Sequence, residues 1–67
     1  MAYRESDIVH ESGDCWVLRR APGWYEVLRT GATHSTVIAV VDFKSDPARH
    51  DYARRRAVDE CNRRAAA

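Results

Sequence analysis

The sequence predicts an α+β domain: a three-stranded antiparallel sheet followed by one C-terminal helix, β-β-β-α, with the helix packed on one face. Three features point there. Two segments rich in aromatic and β-branched residues flank a Pro-Gly pair, a third such segment follows a glycine-containing reversal, and an Asp-Pro start opens a stretch whose apolar residues recur at helical spacing.

The first strand is expected over Cys15-Trp16-Val17-Leu18-Arg19-Arg20, because aromatic and β-branched side chains suit a pleated surface. Ala21-Pro22-Gly23 ends it, since proline presets φ and glycine accepts positive φ. Trp24-Tyr25-Glu26-Val27-Leu28-Arg29 returns, and Gly31 marks the next reversal. Thr36-Val37-Ile38-Ala39-Val40-Val41-Asp42-Phe43 supplies the third strand. Asp46 is placed to cap a helix and Pro47 to occupy its first position, where a missing N–H sacrifices no bond. The helix should run from Pro47 to about Arg64 and fray through Ala65-Ala66-Ala67. Ala53, Ala57, Val58 and Cys61 fall on one side with His50 beside them, a stripe small enough to let the helix lie close to the sheet. On the opposite side Asp51 with Arg55, Arg56 with Glu60, Asp59 with Arg63 and Glu60 with Arg64 are spaced as i, i+4 ion pairs.

With 67 residues the chain is one small domain, and 45% hydrophobic content argues against disorder. Eleven Lys+Arg stand against ten Asp+Glu, a net charge of +1, so no strong field is written into the whole molecule. The charge is unevenly placed. Residues 1–14 hold Arg4 against Glu5, Asp7, Glu11 and Asp14 and read as an acidic leader, whereas 15–67 form the β-β-β-α domain. Ile8-Val9 could form a short strand turning at Ser12-Gly13, but a partly mobile leader is the preferred expectation. No run is long and apolar enough to span a membrane and no secretory pattern opens the chain, so the cytoplasm is the expected location. Arginine outnumbers lysine ten to one, a bias expected of a GC-rich bacterial genome.

Signs of catalysis are sparse. There is no G-x-S-x-G, phosphate loop or H-E-x-x-H, and His10, His34 and His50 lack metal-ligand spacing, so no enzyme activity, metal or cofactor is expected. Cys15 and Cys61 are too few and too far apart for a disulfide scaffold or zinc ribbon; two buried thiols are expected, with a bridge as the alternative. Asp42 interrupts an apolar run and is expected to reach water or an arginine at the strand end.

Two surfaces stand out as candidates. Arg19, Arg20, Trp24 and Arg29 mix cations with an aromatic ring, as nucleic-acid contacts do, while the helix arginines form a second basic edge. Val37, Ile38 and Val40 leave the third strand without a polar face, and one helix covers only one side of a sheet.

Val17-Leu18-Arg19-Arg20-Ala21-Pro22-Gly23-Trp24, the strand end Asp42-Phe43 and a helix with Tyr52, Ala53 and Ala57 resemble the three-strand-plus-helix DNA-binding domains of the plant AP2/ethylene-response type and of phage integrase arm-binding domains. That resemblance implies major-groove reading by Arg19, Arg20, Trp24 and Arg29 on the face away from the helix. The chain departs from the pattern in its apolar third strand and in placing Glu26 and Arg29 on opposite faces. Gly23-Trp24, Phe43, Ala53 and Ala57 are also similar to small bacterial proteins of unknown function built from a hairpin and a helix, which implies no activity. The expectation is a small non-enzymatic protein that binds a second copy or another protein; nucleic-acid binding ranks second, because a dedicated binder is usually markedly basic.

Overall fold

The computed structural model describes residues 4–65 and corrects the strand count. The sheet has four strands, β1 (Ile8–Ser12), β2 (Cys15–Ala21), β3 (Trp24–Thr30) and β4 (Ser35–Asp42), in spatial order β1-β2-β3-β4, all neighbours antiparallel. One helix, α1 (His50–Arg64), follows.

The added strand comes from the segment expected to be a mobile leader. Ser12 pairs with Cys15, so Gly13-Asp14 is a two-residue hairpin loop with Gly13 at φ 59, glycine at the first central position as a II′ turn requires. Ile8 then lies opposite Leu18 and Glu11 opposite Trp16, with an irregularity between Ile8 and His10. Two long-range contacts hold the strand. Val9 packs against the core, and His10 Nε2 lies 2.8 Å from Asn62 Oδ1 on α1. Just before it, Glu5–Asp7 forms a 3-10 turn that packs against β2.

The Pro22-Gly23 loop closes the β2–β3 hairpin with Gly23 at φ 80, the glycine position of a type II turn. Such a turn fits the strand twist less well than its mirror form, and a register shift between Arg19 and Ala21 sits beside it. Gly23 is also closely approached, because a Cβ there would lie 2.7 Å from His50 Nε2 and 2.9 Å from the Phe43 carbonyl oxygen.

Pro47 opens a 3-10 turn, Pro47–Arg49, rather than the α-helix itself, which begins at His50. Asp46 precedes that turn without a side-chain capping bond; its carboxylate instead lies 3.5 Å from Arg49 Nε. The helix ends at Arg64, where the Arg29 guanidinium from β3 donates to the Arg64 carbonyl at 2.6 Å, a cation at the negative end of the helix dipole. Ala66 and Ala67 lie outside the described residues.

Ala53, Ala57 and Cys61 are fully buried, so α1 lies close over β3, flanked by β2 and β4. Beneath them sit Cys15, Val17, Tyr25, Val27 and Val41. Burying one such valine stabilises the fold by about 1.5–3 kcal/mol relative to leaving it in water. Both cysteines belong to this core as free thiols. Of the four i, i+4 ion pairs expected on α1, only Glu60 with Arg64 forms among the described residues, at 2.8 Å. Glu60 also takes Arg63, and Arg56 turns to the Tyr52 hydroxyl at 3.1 Å.

Candidate functional site

α1 covers one face of the sheet, and the other face is where the chain presents apolar surface. Strand alternation and register assign Ile8, Trp16, Leu18, Trp24, Leu28, Val37 and Val40 to that far face. At its centre Leu18 is 2% and Leu28 8% exposed, although no helix lies over them. They are covered by their neighbours on the face and, on the β2 side, by the 3-10 turn Glu5–Asp7. The cover runs out towards β4. Val37 is 44% and Val40 55% exposed, the two most exposed large aliphatic residues described.

Ile38 does not join them. Leu28 pairs with Val37 and Val27 with Ala39, so Ile38 is an extra residue in β4, a bulge, and it packs against the helix-side core. Of the expected association surface, Val37 and Val40 lie together on the far face and Ile38 lies on the opposite one.

The four basic and aromatic candidates are divided in the same way. Arg20 and Trp24 meet on the far face, with the guanidinium 5.8 Å from the indole centroid. Arg19 stands opposite Tyr25, which belongs to the helix-side core. Arg29 is also on the helix side, paired with Asp14 at 3.2 Å and donating to the Arg64 carbonyl and, at 3.9 Å, to Cys15 Sγ.

Lys44 is a member of the Trp24 cluster that the sequence reading missed. Its ammonium lies 4.9 Å from the Trp24 centroid and 2.6 Å from Asp42 Oδ2, while its backbone N–H donates to Asp42 Oδ1. The signal was the alternation Asp42-Phe43-Lys44, which returns residue 44 to the side of residue 42. These bonds from Lys44 hold the Asp42 carboxyl below its ordinary value. Asp42 thus reaches a lysine rather than an arginine. With Glu26 3.8 Å from Arg20, each cation beside Trp24 is matched by a carboxylate.

Two hollows on the described surface are open to solvent. The larger hollow, about 750 Å³, is open to solvent and lined by residues of α1 alone, including Tyr52, Arg55 and Asp59. A shallower one of about 290 Å³ lies on the far face between Ile8, Trp16 and Ser35. The histidines are dispersed: His10 against Asn62, His34 beside Thr33, and His50 against Gly23. Cys61 is buried, and loss of water around it, with Cys15 adding to the effect, pushes its thiol above the ordinary value.

The class defined by this architecture is a small α+β unit, an antiparallel four-stranded meander with one C-terminal helix on one face. No protein-family model, curated protein or solved structure matches the chain significantly. No helix among the described residues is long and apolar enough to cross a membrane.

Proposed function

We propose that this protein is a non-enzymatic self-associating module whose contact surface is the β4 side of the far sheet face. The observation that carries the reading is the exposure of Val37 and Val40 beside the buried Leu28, an apolar surface whose cover stops partway across the sheet. Removing such surface from water favours association by about 25 cal/mol per Å² before the costs of ordering are subtracted. Three of the basic side chains on the sheet side support this reading over nucleic-acid binding: Arg29 is engaged with Asp14 and the helix end, and the cations at Trp24, Arg20 and Lys44, are matched by Glu26 and Asp42.

Sedimentation equilibrium tests the proposal over about 1–100 µM, a range that brackets micromolar association. A mass approaching twice the 7.7 kDa chain, falling on dilution, is expected for the native sequence. Val40→Lys should stay monomeric throughout while keeping its helical and strand circular dichroism. A native protein that is monomeric at the highest concentration overturns the reading.

A further inference from the structure

We infer that the second copy joins edge to edge through β4, antiparallel about a two-fold axis, with Val37 of each copy opposite the partner's Val40. This rests on the self-association reading and specifies its geometry. Two four-stranded sheets become one sheet of eight strands, with both helices on the same side.

The two free edges of the sheet differ in kind. β1 has five residues, carries His10 and Glu11, and leads back into the acidic 3-10 turn. Short length and charge are features by which proteins block edge-to-edge addition. β4 has eight residues, Ser35–Asp42, with no proline and with a charge only at its last position. Its outward row of backbone N–H and C=O groups has no strand beside it in the sheet order.

The register of β4 points to a copy of itself as the occupant. Ser35 pairs with Thr30, Val37 with Leu28, Val40 with Glu26 and Asp42 with Trp24, all on the far face. Thr36 pairs with Arg29 and Val41 with Tyr25 on the helix side, where Ile38 and Ala39 also pack. From either end the order is therefore far, helix, far, helix, helix, far, helix, far. The bulge at Ile38 makes it a palindrome. A regular strand of eight residues, paired with itself about its midpoint, would set each near-face side chain against a far-face one, because faces alternate strictly. Here every residue meets one of its own face: Val37 the partner's Val40, Thr36 the partner's Val41, and Ser35 the partner's Asp42. No like charges meet, and the two most exposed valines are paired twice around the axis.

The test uses the whole chain at a concentration where sedimentation shows the dimer. In an equal mixture of isotope-labelled and unlabelled protein, filtered NOEs between Val37 and Val40 methyl groups are expected, and outward amides of β4 should exchange more slowly than on dilution. Val37→Lys or Val40→Glu alone should raise the dissociation constant about tenfold or more, and the double variant, which sets opposite charges across the axis, should recover part of that loss. A dimer whose filtered NOEs join Trp16 or Leu28 instead, with β4 amides exchanging as fast as in dilute solution, overturns edge pairing and leaves self-association standing. A chain that sedimentation shows to be monomeric up to about 100 µM overturns both.

Discussion

Replacing Gly23 by alanine should be among the most damaging single-methyl changes in this chain. Two costs combine. Gly23 has φ 80, where an L-residue is disfavoured by roughly 1–2 kcal/mol, less about 0.4–1 kcal/mol recovered by stiffening the unfolded chain. The new Cβ would also lie 2.7 Å from His50 Nε2 and 2.9 Å from the Phe43 carbonyl oxygen. The imidazole can rotate away, but the Phe43 carbonyl is fixed from both sides. Phe43 donates its N–H to the Gly23 carbonyl at 2.8 Å, and its own carbonyl accepts from Asp46 N–H at 3.0 Å. Overpacking of this kind costs about 1–3 kcal/mol, so the total is about 1–5 kcal/mol. In a domain of this size each kcal/mol lowers Tm by about 4–8 °C. The internal control is Gly13→Ala, at φ 59 in an exposed turn, which should cost about 1 kcal/mol from the backbone conformation. Urea unfolding followed by tryptophan fluorescence measures both. If Gly23→Ala costs no more than Gly13→Ala, the close approach of His50 and Phe43 does not constrain the turn and the reasoning fails.

Two further outcomes follow from the same packing. Arg29→Ala removes a half-exposed ion pair to Asp14 and the donor to the Arg64 carbonyl, and should lower stability by about 0.5–1.5 kcal/mol while leaving the association constant unchanged; weakened association with full stability would instead place Arg29 in a contact surface. The Cys61 thiol is raised above its ordinary 9.0 by burial first and by Cys15 second, so the folded state holds this proton more tightly than the unfolded state. Its contribution is fully present below pH 9.0 and is lost as pH rises through the higher folded value. Urea midpoints should fall more steeply from about pH 8 to about pH 10 in the native protein than in Cys61→Ala, and equal slopes would contradict the linkage.

Much of the strand plan was legible because it rests on local chemistry. Cys15, Trp24 and the region of Ser35 begin strands, Pro22-Gly23 turns between two of them, and Ala53, Ala57 and Cys61 form the buried stripe of the helix. β1 was harder to see because Ile8 and Val9 are its only apolar residues, followed by His10-Glu11-Ser12. Ser12-Gly13-Asp14-Cys15 did carry a hairpin signal, a glycine-led two-residue loop between pairing positions. What holds the strand, however, is Val9 in the core and His10 against Asn62, contacts far apart in the sequence.

The candidate site divides along the same line. Its residue types were visible, but which of them share a surface depended on the sheet. A strict period of two over Ser35–Asp42 puts Val37 and Val40 on opposite faces, and the bulge at Ile38 brings them to the same one. Arg29 looked like a companion of Trp24 until β3 alternation and the position of Arg64 turned it to the helix end. By itself the sequence determined where β2, β3, β4, the turn between β2 and β3 and the body of the helix lie, through side-chain shape and backbone preference acting over a few residues. Register, face and partner were decided only in the tertiary structure, because a single extra residue in one strand reverses every side chain beyond it, and that residue becomes extra only when β3 pairs alongside.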